Sequence, residues 1–527
     1  MALRTGKLIL AKNILLDKSY KNVIDYSESQ MVNLVTSKKV AEFSDCSFIR
    51  QGGNEIDIEI SYGQSLQCNY LAFQNPDYSN KWFFAFIDEV QYISEKTTRF
   101  TFTIDVFSTW KDYWNYKQCF VVREHTNDDT IGANLVPENF ELGEYVASNK
   151  RNVGFTGKRY VIISIYNPKG GSTKTLYTNV NGVPISGGVW VFDSPAAMQN
   201  AVLQYSNDAR LDQITQVYMV PYTIFDDNDL TADTLPNVSD PDAGLFYQFK
   251  GKSSAVSREV TLSRPANLNG YVPKNNKLFT SPYMFITTVN HNGTTSSYGY
   301  EYFSNPAAPV FKAKGAASVG TSIEVYPVNY KGVEDNYNEG IMCGKFPTLS
   351  WSGDSYTNWL TQNAVNIGTG VINDIVSIGA FASGASVNGT GLINNIAGEL
   401  SEFYQRKIAP ITSTGNTNGG DVLSGEGVNS CYAIQMSIQS QFAKRIDDFW
   451  TMFGYKTNLL KIPNETGRPH WNFIQIADGD DIGHSDGSIS VPPNDMEAIN
   501  NIYRTGVTIW HNHDEIGNYA LDNRLGQ

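Results

Sequence analysis

KWFFAFIDEVQYISEKTTRFTFTIDVFSTW, residues 81–110, carries its apolar side chains in the two-residue rhythm of β-strands. From Thr98 onward, Phe100, Phe102 and Ile104 alternate with Arg99, Thr101 and Thr103. A half-buried strand reads this way because successive side chains leave opposite faces of a sheet. EIDIEIS, from Glu55, repeats the pattern, and Tyr78, Trp82, Tyr92, Trp110, Tyr113 and Trp114 add aromatic bulk. The whole chain has 30 Tyr and 27 Phe, is 41% hydrophobic and only 18% charged, a composition that favours strands over disorder. The expectation is a folded, mainly β protein with a few helices.

Working outward, RYVIISIY, GVWVF, TQVYMVPYTI, REVTLS and MFITTV continue the strands between 151 and 325, broken by turn-rich pieces such as NPKGGST and LPNVSDPDAG. A short helix is predicted over Pro195 to Tyr205. A chain of 527 residues holds roughly three or four domains. The expected organisation is a first β region at 1–150, an inserted β domain at 151–325, a return at 326–360, an excursion at 361–430 and a final β region at 431–527. Within the last, Ile434, Ile438, Phe442, Ile446, Phe449 and Phe453 recur at helical spacing and predict one long core-facing helix. A shorter helix near Asp495 to Tyr503 and a strand, GVTIWH, close the chain.

The excursion is the anomaly. Thr361 to Gly398 reads TQNAVNIGTGVINDIVSIGAFASGASVNGTGLINNIAG, and Asp374 is its one charged residue. Ile367, Val371, Ile372, Ile375, Val376, Ile378 and Phe381 would share an apolar helix side, with Val387, Leu392, Ile393 and Ile396 following. Yet glycines stand at 368, 370, 379, 384, 389, 391 and 398, each weakening a helix by roughly 1 kcal/mol relative to Ala. Such a segment suits a buried core hairpin, an oligomer seam or a membrane-active loop. The Gly/Ser/Thr/Asn tract at 411–430 reads as a linker, and Thr361 to Ala380 has about the 20 residues that a helix needs to cross a bilayer. Both features favour the membrane-active loop. Protonating Asp374 would ease its transfer into lipid.

The net charge of −13 argues against a sequence-specific grip on nucleic acid, which needs clustered Lys and Arg, while leaving an acidic surface past which DNA slides. The amino-terminal stretch has no small-residue cleavage site, so no signal peptide is expected. Five cysteines, odd in number, widely spaced and never as C-x-x-C, read as ordinary reduced residues. Gly483-His484-Ser485-Asp486-Gly487 fits the G-x-S-x-G nucleophile elbow, but the elbow needs a strand before and a helix behind. ADGDD precedes it, and Pro492 and Pro493 are expected to forbid an immediate helix. His511 and His513, with Asp514 and Glu515, have metal-ligand spacing without a third convergent ligand; surface polar residues at a strand end is the preferred reading. Asp478, Asp480, Asp481 and Asp486 lack the calcium-loop pattern. No catalytic residue, metal site or cofactor is expected.

FIDEVQYISEKTTRFTFTIDVFSTW (Phe86 to Trp110), MFGYKTNLLKIPNETGRPHWNFIQ (Met452 to Gln475) and NIYRTGVTIWHNHDE resemble the distal tail tube, or tail knob, protein of small short-tailed bacteriophages. The resemblance runs over most of the chain, most weakly through the middle third. It implies a structural virion protein, made in the host cytoplasm, whose copies form a homohexameric, β-barrel-like tube that conducts double-stranded DNA. It implies contacts with other tail proteins and with the host cell membrane, through a hydrophobic loop at Thr361 to Gly398 that plugs the tube and is later released. The rival from another class is a host-binding adhesin using the tyrosines of 151–325. A wall-degrading enzyme comes third.

Overall fold

The computed structural model describes residues 6–46, 54–155, 159–170, 177–180, 183–208, 210, 213–220, 225, 227–250, 256–290, 293–315, 322–345, 348–350, 431–464, 468, 471–521 and 523. Ile367, Val371, Ile372, Ile375, Val376, Ile378, Phe381, Val387, Leu392, Ile393 and Ile396, and the helix expected over ELSEFYQRK, lie outside them. The chain divides into two compact units. The first comprises Met1–Gly143, Gly270–Leu278 and Gln439–Gln527, and the second Glu144–Asn269 and Phe279–Ile438.

The first unit is organised by a six-stranded antiparallel sheet in the order Lys39–Cys46, Gly6–Ala11, Tyr70–Asn75, Lys81–Ser94, Thr97–Ile104, Glu55–Ile58. Phe83, Phe84, Ala85 and Phe86 are all buried because both faces of this sheet are covered. Phe83 and Ala85 join Leu71, Phe73, Phe100, Phe102 and Trp110 in one core. Phe84 and Phe86 face the other way, onto Tyr70, Ala72, Met31 and Val35. A continuous apolar run is what such double coverage demands. Beyond Ile87 the same strand runs into solvent, where Tyr92 is 62% exposed.

Helix Glu28–Ser37, started by a capping box between Ser27 and Gln30, supplies Met31 and Val35 to the second core. A five-stranded sheet, Asn22–Ile24, Val507–Trp510, Asn472–Ile476, Cys119–Glu124, Tyr455–Lys461, contributes Val121, Ile474, Ile476 and Ile509 to the first core. Its first pair is parallel and the rest antiparallel. Helix Pro493–Thr505 adds Ile499, Ile502 and Tyr503 to that core.

The second unit holds three larger sheets. One pairs Tyr145–Asn152, Cys431–Ile438, Met284–Asn290 and Thr295–Gly299. Another has six strands ordered Leu230–Thr234, Leu245–Phe249, Gly188–Phe192, Arg159–Ser164, Ile214–Val220, Thr348–Ser350, with helix Pro195–Asn207 packed on it. The third joins Val256–Thr261, Val310–Gly315, Ser322–Tyr330 and Val333–Asp335, with Ile341–Lys345 also pairing to Ser322–Tyr330.

Strands thus dominate, as the alternating runs predict. One helix is shorter than its periodicity suggests. It covers Ser440–Phe453, and Ile434 and Ile438 lie in strand Cys431–Ile438 instead. Residues four apart also share a strand face, so Ile434 and Ile438 fit either period, and the flanking Ala433, Gln435 and Ser437 show the buried alternation of a central strand. Gly454 ends the helix at φ 66°, where an added Cβ would lie 2.3 Å from the carbonyl carbon of Glu124. The two prolines expected to forbid a helix do not: Pro493 opens the closing helix at its first turn, a position where the missing N–H is not needed.

Candidate functional site

The residues flanking 351–430 are fixed by backbone pairing within the second unit. Before the segment, Thr348–Ser350 pairs with Gln216–Tyr218 at a sheet edge. After it, Cys431–Ile438 is a central strand, paired to Tyr145–Asn152 on one side and Met284–Asn290 on the other. Cys431, Ala433, Gln435, Ser437 and Ile438 are buried, and Gln435 donates from Nε2 to the Ser263 carbonyl at 2.9 Å. The peptide N–H of Val153 donates to the Cys431 carbonyl at 2.7 Å.

The first unit gathers a polar network that periodicity did not reveal. Arg123 donates to Glu138 Oε2, Lys277 Nζ lies 2.7 Å from Oε1, and Trp450 Nε1 donates to that oxygen at 3.0 Å. Burial lowers the Lys277 pKa, and the Glu138 carboxylate opposes that shift. Asp447 accepts from Tyr271 Oη at 2.7 Å, Lys274 N at 2.7 Å, and Asn275 N and Nδ2 at 3.0 and 2.6 Å. Burial still raises its pKa against those bonds. His125 Nδ1 accepts from Phe473 N at 2.9 Å, which places its proton on Nε2, facing the Trp450 and Thr451 carbonyls at 3.1 Å each. The network seats Gly270–Leu278 and the helix Ser440–Phe453 in one unit. Asp447 was the available signal, because it shares a helix face with Ala443, Ile446 and Trp450, all buried.

The motifs with catalytic or metal-binding spacing are occupied by structural bonds. Ser485 lies on the strand Gly483–Ser485, paired with Trp114–Tyr116, and its hydroxyl donates to the Ile489 carbonyl at 3.3 Å. Asp495 accepts from Trp110 Nε1 at 2.9 Å, and Glu497 pairs with Arg504 at 2.6 Å. Asp480 accepts from Phe120 N at 2.7 Å, while Asp481 pairs with Lys117 and Arg504 at 3.0 and 3.1 Å. His513 is no surface residue: it is 2% exposed and accepts from Leu15 N through Nε2 at 2.9 Å. Its Nδ1 lies 2.8 Å from Asp514 and 3.0 Å from Lys38 Nζ. Burial lowers its pKa. Among the described residues no group of three or more His, Cys, Asp or Glu is placed to hold a metal. Among them, too, no helix is long and apolar enough to cross a membrane.

A family model described as Bacillus phage phi29, tail knob protein gp9, C-terminal domain, matches residues 245–524, more than half of the chain. The chain belongs to that family. A model of the caudoviral major tail protein N-terminus matches residues 4–115. Tail knob protein gp9 of Bacillus phage PZA is 24% identical, over 99% of this chain and 98% of its own. The proteins of the same name from phages phi29 and B103 are 23% and 21% identical, with 97% or more of each chain covered. The solved structure of the bacteriophage C1 tail knob protein, gp12, superposes with a TM-score of 0.68 over 99% of this chain and all of that one, at 14% identity. At that identity the likeness shows the fold. The tail-knob resemblance read from Phe86 to Trp110 and Met452 to Gln475 is thereby shown, and tail knob proteins are virion components of the phage tail.

Proposed function

We propose that the chain is a structural protein of the distal tail whose copies form a homohexameric β-rich ring, conduct double-stranded DNA and deliver residues 361–398 to the host cell membrane. The family match carries this reading. It spans 245–524, and so includes 351–430 together with the paired strands on either side. Other tail proteins are the partners that such a position requires. A net charge of −13 per copy supports conduction, since an acidic bore repels the phosphate backbone and keeps DNA from sticking. Head-to-tail contacts between identical copies close into a ring when the rotation permits. The role is conformational, with no bond chemistry.

Electron micrographs of the purified protein are expected to show six-fold rings with a central hole. Monomeric particles would overturn the tube. Dye-filled liposomes are expected to leak with the intact protein, at neutral or acidic pH, and to stay sealed with a variant lacking 361–398 that still forms rings. Sealed liposomes under all conditions would remove the membrane step.

A second reading, a surface-binding adhesin, is favoured by one observation in the second unit. Tyr302, Val333 and Tyr337 are 44%, 46% and 42% exposed in the region of the Tyr330–Val333 turn. Binding of the protein to host wall fragments, lost in Tyr302→Ala with Tyr337→Ala, would select it.

A further inference from the structure

Two of the five cysteines come together on the strands that bracket 351–430. Cys343 lies in Ile341–Lys345 and Cys431 opens Cys431–Ile438. Against the strand Ser322–Tyr330, Ile323 pairs with Gly344 and Glu324 with Met342, so Cys343 is the extra residue of a bulge. A bulge re-aims a side chain that regular pairing would send elsewhere. Here Met342 is 55% exposed while Cys343 is fully buried.

Cys431 reaches the same place from the neighbouring sheet. Asn290 is its cross-strand partner, and Asn290 Nδ2 donates to the Met342 carbonyl at 2.7 Å, one residue from Cys343. Both residues are fully buried, and the Cys431 thiol is the foremost influence on the Cys343 thiol. The remaining cysteines are placed otherwise: Cys46 is half-buried, and Cys68 and Cys119 pack in the first unit's apolar core.

We propose that Cys343 and Cys431 form a disulfide under oxidising conditions, fastening Ile341–Lys345, the last strand but one before residues 351–430, to Cys431–Ile438, the first strand after them. The oxidant is a small disulfide. One thiolate attacks a sulfur of the oxidant and expels a thiol, and the second thiolate then displaces the other half. Two thiols lose two protons and two electrons, and one oxidant molecule becomes two thiols. The pair stays reduced in a cytosol and meets oxidising conditions once particles leave the cell. The Cys431 thiol and burial together hold Cys343 well above the ordinary thiol range, so the reaction is slow at neutral pH and quickens as pH rises. This inference stands on the placement of the two strands and does not depend on the proposed function.

The test is to incubate the full-length native protein with excess oxidised glutathione, unfold it in a maleimide and measure its mass. Three labels on the five cysteines, with a Cys343–Cys431 linked peptide in the unreduced digest, are expected. Cys343→Ser should keep all four of its remaining thiols, and Cys68→Ser should retain the cross-link. Cys431→Ala serves as a second variant if Cys343→Ser does not fold. Five labelled thiols, a glutathione adduct held at either position, or a cross-link through Cys46, Cys68 or Cys119 would each overturn the proposal.

Discussion

The Glu138 network of the first unit and the Val310–Tyr330 sheet of the second hold remote and neighbouring pieces of chain together by different means. In the first, Glu138 collects Arg123, Lys277 and Trp450, which lie 15, 139 and 312 positions away in the chain. In the second, the sheet of Val310–Gly315 and Ser322–Tyr330 is made of sequence neighbours. Its cover is a ring cluster, with Phe303–Tyr330, Tyr298–Phe311 and Phe303–Phe311 centroids 4.7, 5.1 and 5.8 Å apart. Short connections already limit where a neighbouring strand can go, so apolar contact suffices. A segment arriving from far along the chain has no such constraint, and directional, buried bonds select one seat for it.

That contrast is open to attack, and the largest effect is expected at Glu138. Glu138→Gln changes little volume but leaves Lys277 and Arg123 short of a buried counter-charge, and should cost about 3 kcal/mol or more in urea denaturation. Phe311→Leu in the second unit keeps an apolar contact and should cost about 1.5 kcal/mol or less. A reversal of that order would break the comparison.

Acidification should act on the first unit through His513, which faces Lys38 and Asp514. Burial, the larger cause, and Lys38 lower its pKa against the pull of Asp514. A histidine whose pKa is depressed on folding contributes stability that is present above its unfolded value of about 6.5 and lost as pH falls through the folded one. The melting temperature should therefore drop as pH falls below about 6.5, and His513→Gln, which can still accept from Leu15 N, should flatten that part of the drop. An unchanged slope would remove the assignment. The smallest effect is expected from Arg99→Ala, whose partner Asp57 is as exposed as Arg99 itself. Exposed pairs are screened by water, and its denaturation curve should overlay the parent's.

The alternation of Thr98 to Ile104 was legible because one face of that strand meets the core and the other carries the less buried Arg99, Thr101 and Thr103. The run from Phe83 to Phe86 announced burial without telling which residue faces which core, since that depends on helix Glu28–Ser37 covering the second face. Ile434 and Ile438 misled for a related reason, as a spacing of four satisfies both periods. The Gly483–Gly487 motif was discounted for want of a strand before it and a helix behind, yet Ser485 ends the strand Gly483–Ser485 and a helix opens at Pro493. That the Ser485 hydroxyl closes a turn onto Ile489 was legible only in the tertiary structure. His513 was read as a surface residue because nothing in HNHDE reports that Leu15 and Lys38 cover it.

By itself the sequence determined the strand-rich class, the family and the position of the uncharged Thr361 to Gly398 stretch, because periodicity, composition and motif order are local properties. Only the tertiary structure decided that Glu138 meets Lys277, that His125 joins Phe473 to Trp450, and that Cys343 lies beside Cys431. Those meetings are set by where strands from distant parts of the chain pair, and by a one-residue bulge that turns a side chain inward, neither of which leaves a local pattern to read.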